Sequence, residues 1–272
     1  MGAFMSIQRL GCTSIAVAFL TAPATAQQAT GRFEEVRRFA TSEATQGVAV
    51  DERHFYAISN RRIGKYEKDT GRRVDGWEGP ADGPVIHLDG GVVIDGLLYS
   101  AHSNYPGVPM ASSIEIFDPE TMRHVGSRSL GILEGSATWV DRWDGHWWVA
   151  LGNYAGVGGV PGRGPEWTTV LQFDESWRRV AAFLFPPAVV ERFEAMSNSG
   201  GTWGVDGRLY ITGHDEGVVF VMALPTAGST LVLERELPVH SEGQGIAWDR
   251  GETGTLYSII RSTREVVVSR LR

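Results

Sequence analysis

The segment GVVIDGLLYSAH (residues 91–102) joins a short apolar run, a turn and a second run that carries an aromatic residue. This arrangement occurs five times in the chain. The other copies are GVAVDERHFYAIS (47–59), ATWVDRWDGHWWVALG (137–152), TWGVDGRLYITGH (202–214) and GIAWDRGETGTLYSII (245–260). Their equivalent aromatic residues follow one another at intervals of 43, 49, 62 and 47 residues, and they are Tyr56, Tyr99, Trp148, Tyr210 and Tyr257. Such spacing is typical of the four-stranded blades of a β-propeller.

The repeats predict an all-β fold, a five-bladed β-propeller. Alternation of apolar and polar residues, with many β-branched and aromatic side chains, indicates strands within each copy. The last copy is followed by one more strand-like segment and then by Arg272, so its blade lacks an outer strand. A further strand-like segment, residues 32–39, precedes the first copy. We predict that this N-terminal strand closes the ring as the outer strand of the last blade, because closure removes two open sheet edges.

The first 26 residues have the features of a secretory signal peptide. Arg9 is the only charged residue among them, an apolar run extends over 12–20, and Ala24-Thr25-Ala26 forms a small-residue cleavage site. The apolar run is too short to span a membrane. We therefore predict a signal peptide at 1–26, a single propeller domain at 27–272, and a periplasmic or secreted location. The only cysteine is Cys12, so the domain would be held together by packing without disulfides.

Charge and hydropathy narrow the class of partner. The chain has a net charge of −7, which argues against nucleic acid as a main partner. No later stretch is long and apolar enough to cross a bilayer, so no membrane span is predicted. The predicted partner is a small-molecule substrate, and the sequence does not specify an oligomeric state.

The repeat also indicates where a site would lie. In an antiparallel blade, the loop before the first strand and the loop after the second emerge on the same face, and binding residues concentrate on such loops. Two long Gly/Pro loops (103–112 and 152–167) and a predicted short helix (188–196) fall on this face. They would form a rim around a pocket or simply an exposed surface. On the opposite face an aspartate recurs in the turn of every copy, which turn stabilisation explains.

Candidate catalytic and binding residues follow from these loop positions. Glu134 or Glu242 would act as general base, and His102 or His214 as general acid or metal ligand. The candidate substrate-binding residues are Asn60, Asn104, Asn153, Tyr154, Asn198, Gln244 and Arg261. A purely structural network of the glutamates with Arg61 or Arg261 is the alternative.

Three histidines from neighbouring axial loops, His87, His102 and His214, form a candidate site for a divalent metal. Zinc would use the imidazoles, whereas calcium would need the oxygen atoms of the nearby glutamates and asparagines. The spacing has no local ligand signature, so the alternative is that each imidazole bonds to neighbouring backbone.

Several segments carry a resemblance to known proteins. The segments YAISN (56–60), LYSAHSNYP (98–106), SGGTWGVDGRLYITGHD (199–215) and GQGIAWDR (243–250) resemble those of bacterial exported β-propeller proteins of an ill-characterised, cycloisomerase-like group. The likeness covers essentially the whole of 27–272. More broadly, five-bladed propellers that resemble this one include glycoside-processing enzymes, a glutamine cyclotransferase class and lectins, and fold alone does not choose among them.

Two functions remain open from the sequence. The first is an enzyme that acts on a small polar or aromatic molecule by proton transfer, of the isomerase, lyase or cyclase type, with an axial His/Glu/Asn site. The second is a non-catalytic propeller that binds a glycan or a protein. The axial residues differ from blade to blade, which favours the enzyme, because a repeat lectin would place the same polar residues in every blade.

Overall fold

The computed structural model describes residues 1–2, 31–132, 134–214 and 217–272. Nearly all of the predicted signal peptide (1–26) therefore lies outside the described residues. The predicted fold class is confirmed: five four-stranded antiparallel sheets form a five-bladed β-propeller.

The described chain begins with strand β1 (Phe33–Ala40). Blade 1 consists of β2 (Gly47–Val50), β3 (His54–Ser59), β4 (Arg62–Glu67) and β5 (Arg73–Glu78). Blade 2 consists of β6 (Leu88–Ile94), β7 (Leu97–Ser103), β8 (Ala111–Asp118) and β9 (Arg123–Ile132). Blade 3 consists of β10 (Ser136–Trp143), β11 (His146–Gly152), β12 (Thr169–Phe173) and β13 (Arg179–Leu184).

Blade 4 consists of β14 (Gly200–Trp203), β15 (Leu209–Thr212), β16 (Val218–Ala223) and β17 (Val232–Pro238). Blade 5 consists of β18 (Ala247–Trp248), β19 (Thr255–Ile260), β20 (Glu265–Leu271) and β1. The register of β1 on β20 extends from Phe33 opposite Leu271 to Ala40 opposite Glu265. The N-terminal strand thus closes the ring, as the sequence predicts.

A short helix, α1 (Pro187–Phe193), connects blades 3 and 4, and a 3-10 turn (Pro165–Trp167) lies in the long loop of blade 3. The helix falls where the sequence predicts one, with proline in its first turn. Within the described part of the chain, no helix has the length and apolar character needed to cross a membrane.

The core lies between the blades, because each of five buried apolar clusters combines residues of two neighbouring sheets. Aromatic pairs join the blades: the ring centroids of Trp148 and Trp203 are 4.7 Å apart, and those of Tyr99 and Trp147 are 4.6 Å apart. Such pairs add to the apolar area that the large rings bury. The repeated aromatic residue of each copy is therefore a packing residue of the ring.

Glycines let the innermost strands approach one another at the axis. A Cβ on Gly245 would lie 2.6 Å from the Cα of Gly47 and 3.2 Å from that of Gly90. A Cβ on Gly90 would lie 3.0 Å from the Cβ of Trp139. Backbone at these positions leaves no room for a side chain, so blades 5, 1 and 2 pack closely there.

The recurring turn aspartates stabilise turns in the way the sequence indicates. One oxygen of Asp51 accepts the backbone N–H groups of Arg53 and His54, and Asp249 does the same for Gly251 and Glu252. Asp141 extends further, because its carboxylate accepts the N–H of Trp203 in the next blade. These carboxylates therefore hold turns and neighbouring blades together.

Candidate functional site

A cavity of about 380 Å³ opens at the axis on the face of the ring that the sequence indicates. Loops of all five blades contribute to its wall. The lining residues are Gln46, Asn60, Ile86, His87, Asp89, Tyr105, Pro106, Tyr154, Met196, Ser199, His214, Gln244 and Arg261. We call this cavity the axial pocket. Its volume suits a small molecule, and its wall combines acidic, basic, amide and aromatic groups.

Asp89 is the buried carboxyl group of the axial pocket. The register between β6 and β7 shifts between Leu88 and Gly91, so Asp89 lies in a bulge of the innermost strand of blade 2. Bulges of this kind redirect a side chain out of the regular ladder. The residue is only 3% exposed, and its Oδ1 has no hydrogen-bond partner among the described residues, while its Oδ2 lies 3.6 Å from Nε2 of His87.

Burial controls the protonation of this pair. Loss of solvation raises the pKa of Asp89 well above its ordinary value of 3.8, and the charge of Arg261 opposes the shift only in part. Burial also lowers the pKa of His87 to about 4, and the charges of His102 and Arg261 act in the same direction. Burial therefore favours the neutral acid of Asp89 beside the neutral imidazole of His87, which is a donor next to an acceptor.

Burial also shifts the pKa values of His214 and Tyr154 in the direction that favours their neutral forms. Burial lowers the pKa of His214, against the effect of the Ser197 carbonyl oxygen 3.3 Å from its Nδ1. Burial raises the pKa of the Tyr154 phenol, and the charge of Asp89 adds to this shift. Both side chains are thus held neutral, as suits proton donors and acceptors in a poorly solvated site.

An aromatic wall covers one side of the pocket. The ring of Tyr105, from the loop after β7, lies 5.0 Å from the ring of His87 and 5.0 Å from that of Tyr154. Opposite, Gln46 donates a hydrogen bond from Nε2 to Oδ1 of Asn60, and Ser199 donates one to Oε1 of Gln244. The amides are therefore held by neighbours from the loops of the same face.

The axial pocket brings together six of the residues predicted from the sequence. They are Asn60, His87, Tyr154, His214, Gln244 and Arg261. The guanidinium of Arg261 is exposed and makes no side-chain hydrogen bond or ion pair with any described residue. It is therefore available to hold an anionic ligand.

The two predicted glutamate bases do not line the axial pocket. Glu134 is exposed, and its side chain has no hydrogen-bond partner among the described residues; its backbone carbonyl accepts a hydrogen bond from Asn153. Glu242 accepts hydrogen bonds from the hydroxyl and the backbone N–H of Ser262, and these bonds lower its pKa. Glu242 therefore stabilises a turn, because its carboxylate is already occupied.

Three of the predicted asparagines have structural partners outside the pocket wall. Asn104 bridges its own loop, since it donates to the carbonyl of Pro109 and accepts the N–H of Ala111. Asn153 is fully buried and donates to the carbonyls of Glu134 and Trp167. Asn198, also fully buried, accepts the indole N–H of Trp139 and donates to the backbone of blade 4.

His102 does not line the pocket, and both nitrogens of its ring have hydrogen-bond partners within the protein. The backbone N–H of Ile86 donates to its Nε2, which leaves the proton on Nδ1, 2.9 Å from the hydroxyl oxygen of Ser113. Ser113 donates in turn to Glu115, which also accepts from His124. Because both ring nitrogens are used, His102 supports the segment that carries His87 and is not free to bind a metal or a substrate.

The geometry does not fit the predicted metal site. Within the described ranges, which omit Asp215 and Glu216 beside His214, no group of three or more His, Cys, Asp or Glu side chains is arranged to hold a metal ion. His87, His102 and His214 are thus not brought together as ligands. We therefore derive no step through calcium or zinc.

Asp89 is the residue that the sequence analysis misses. It lies six residues before the turn aspartate of its repeat, where the other four blades have Thr45, Gly135, Gly200 and Gly243. A carboxyl group at a position that has a small residue in the other copies was the sequence signal that could have identified Asp89. Its significance depends on the bulge in β6, which the alternation pattern does not show.

Comparison with known proteins supports the fold. The chain is similar to the crystal structure of Myxococcus xanthus glutaminyl cyclase, with 12% identity and a TM-score of 0.58 over 89% of this chain and 97% of that one. It is also similar to the WD40 repeats of RRP9, with 11% identity and a TM-score of 0.46 over 83% and 79%. At 12% identity the likeness to the glutaminyl cyclase shows the fold alone. No protein-family model matches the chain, and no curated protein matches it.

Proposed function

We propose that the axial pocket is the active site of an exported enzyme that moves protons on a small polar or aromatic molecule carrying an anionic group. The reaction would be of the isomerase, lyase or cyclase type. The observation that carries this proposal is the buried carboxyl of Asp89, whose Oδ1 has no partner in the described part of the chain, beside the neutral imidazole of His87. A carboxyl group kept neutral by burial is a proton donor at physiological pH.

Each lining group has a role in this reaction. Asp89 donates a proton to the atom that gains electron density, and His87 or His214 accepts the proton that the substrate loses. Arg261 holds the anionic group, while Asn60 and Gln244 orient the polar part of the molecule. Tyr105 and Tyr154 pack against its apolar face and limit access of water. General acid–base catalysis of this kind contributes roughly 100- to 10,000-fold in rate.

The likeness to a glutaminyl cyclase is consistent with this class of reaction, although it contributes only the fold. The alternative is a non-catalytic propeller that binds a glycan. One observation favours it: Trp167, in the long loop of blade 3, is 45% exposed, with the guanidinium of Arg163 5.2 Å from its ring centroid. Exposed aromatic rings of this kind stack on sugars.

A solvent-exchange experiment separates the two functions. The protein is incubated in D2O with small carboxylates that carry acidic C–H bonds and with peptides that begin with glutamine, and NMR follows both binding and chemistry. If the protein is an enzyme of the proposed type, we expect deuterium incorporation into a carboxylate or ring closure of a glutamine peptide. Ligands that shift pocket resonances without any exchange or turnover would favour the binding module, and a panel that does not bind at all would contradict the axial site.

Arg261→Gln is expected to raise KM, or the Kd of a carboxylate ligand, by about 10-fold with little change in kcat. The guanidinium has no described partner, so its loss removes its charge and its hydrogen bonds to the ligand, and uniform binding of this kind affects KM. Loss of its charge also raises the pKa values of Asp89 and His87, but burial is the main cause of both shifts, so the effect on kcat should be small. Steady-state kinetics or titration by NMR measures the effect. A drop in kcat at unchanged KM would instead assign Arg261 to the chemical step.

A further inference from the structure

A second cavity adjoins the axial pocket on the same face. It has a volume of about 480 Å³ and lies between the turn after β3 in blade 1 and the turn after β19 in blade 5. Its lining residues are Thr45, Ser59, Asn60, Arg61, Arg62, Glu78, Gly79, Ala81 and Arg264. Asn60 lines both cavities, and Thr45 precedes Gln46 of the axial pocket. The two cavities are therefore neighbours along one path from the axis to the rim.

Arginines dominate this second cavity. Arg61, Arg62 and Arg264 line it, and Arg261, three residues before Arg264 in the same turn, lines the axial pocket. Two carboxylates are close: Glu78 lines the cavity, and Glu242 is bonded to Ser262 in the adjacent turn. Four guanidiniums against two carboxylates leave this part of the rim positive, although the whole chain has a net charge of −7.

These arginines differ from most others in the chain because they lack acidic partners. Arg38, Arg73 and Arg250, for example, each form an ion pair with a nearby carboxylate. Among the residues that the structure describes, Arg62 and Arg264 make no side-chain hydrogen bond or ion pair, and Arg61 donates only to the carbonyl of Pro80. Unpaired guanidiniums around a cavity are suited to bind a carboxylate or a phosphate.

We propose that this cavity, which we call the arginine subsite, binds a second anionic group of the substrate of the axial pocket. The substrate class is then an elongated molecule with two negative groups, one held by Arg261 and the other by Arg62 and Arg264. The inference rests on the proposed function of the axial pocket, because it extends the same bound molecule towards the rim. The local guanidiniums attract such a ligand, whereas the rest of the acidic chain repels it, so anions are directed to this part of the surface.

Affinity measured along a series of ligand lengths tests the subsite. The ligands are linear α,ω-dicarboxylates of about four to ten carbons and the monocarboxylates of matching length, titrated at low ionic strength. We expect the affinity of the dicarboxylates to rise at the length that reaches both sites, by about 5- to 10-fold over the matched monocarboxylate. This gain should shrink as salt is added. A parallel series with phosphonate in place of one carboxylate shows which anion the subsite prefers.

The double variant R62Q/R264Q should abolish the gain and leave monocarboxylate binding unchanged. R123Q/R179Q is the matched control, because it removes the same charge from the first residues of the outer strands β9 and β13. Its affinity profile should equal that of the unaltered protein. Circular dichroism and thermal melts establish that both double variants fold.

Two results would overturn the subsite. One is an affinity that does not depend on a second charge at any length; the other is an R62Q/R264Q variant that keeps the gain. Either result would leave the proposed function standing if Arg261→Gln still weakens every carboxylate. If no carboxylate binds the unaltered protein, the subsite and the role of Arg261 in the axial pocket fail together.

Discussion

Asp89→Asn is expected to lower turnover in the axial pocket by about 100- to 10,000-fold, while the protein stays folded. The amide has nearly the shape of the protonated carboxyl group but cannot donate the proton that the reaction needs. Because no described residue forms a hydrogen bond with Oδ1, no such bond is lost at that atom. Single-turnover kinetics on the substrate found by solvent exchange measures the loss, and KM should change little.

Asp82→Asn is the matched control for this variant, since Asp82 is an exposed aspartate outside the lining of the axial pocket. It should retain the rate of the unaltered protein. An Asp89→Asn protein that turns substrate over at the original rate would remove Asp89 from the chemistry and leave His87, His214 and Tyr154 as the candidates for proton transfer among the described lining residues.

The second large effect is on stability. Gly245→Ala should lower the free energy of unfolding by about 1–3 kcal/mol, because the added methyl group meets backbone rather than flexible side chains. Its Cβ would lie 2.6 Å from the Cα of Gly47 and 3.1 Å from the carbonyl oxygen of Gln46. Blade 5 must then move away from blade 1, which also displaces Gln46 and Gln244 in the pocket wall. Thermal and chemical denaturation measure the change.

Gly126→Ala provides the comparison. Gly126 lies in β9, and a Cβ there would be 3.7 Å from the nearest side-chain atom, which is an ordinary contact. Its φ is not in the left-handed region, so alanine causes no backbone strain. We expect a neutral effect or a gain of about 0.4–1 kcal/mol, because alanine restricts the unfolded chain. Equal stability losses in both variants would contradict the close packing of blades at the axis.

The repeat determines most of what the sequence could predict. Equivalent positions in five copies identify the blades, the packing role of residues such as Trp148 and Tyr257, and the closing strand β1. They also identify the correct face, since His87, Asn60 and Arg261 all follow from loop positions counted along the repeat. This information depends on the recurrence of one segment in every blade, although the intervals between copies vary from 43 to 62 residues.

The remaining errors concern the direction of individual side chains. Glu242 and Gln244 are both predicted from the loop before the first strand of their blade. Gln244 lines the pocket, but the carboxylate of Glu242 accepts hydrogen bonds from Ser262 instead. His102 ends the second strand of its repeat but donates and accepts within blade 2. Asp89 enters the pocket only because a bulge interrupts β6. Local hydrogen bonds and bulges determine these directions, and a pattern of apolar and polar residues does not contain them.

The most direct test of the axial site is the titration of the Asp89 carboxyl carbon by NMR, with Asp89→Asn used to assign its resonance. Because folding raises the pKa of this group, it contributes stability that is present below pH 3.8 and is lost as the pH rises through its folded pKa. We predict that Asp89 stays protonated after the exposed aspartates have ionised, and that Asp89→Asn gains relative stability as the pH rises. An Asp89 that ionises together with the exposed aspartates would contradict the proposed proton donor and the site built on it.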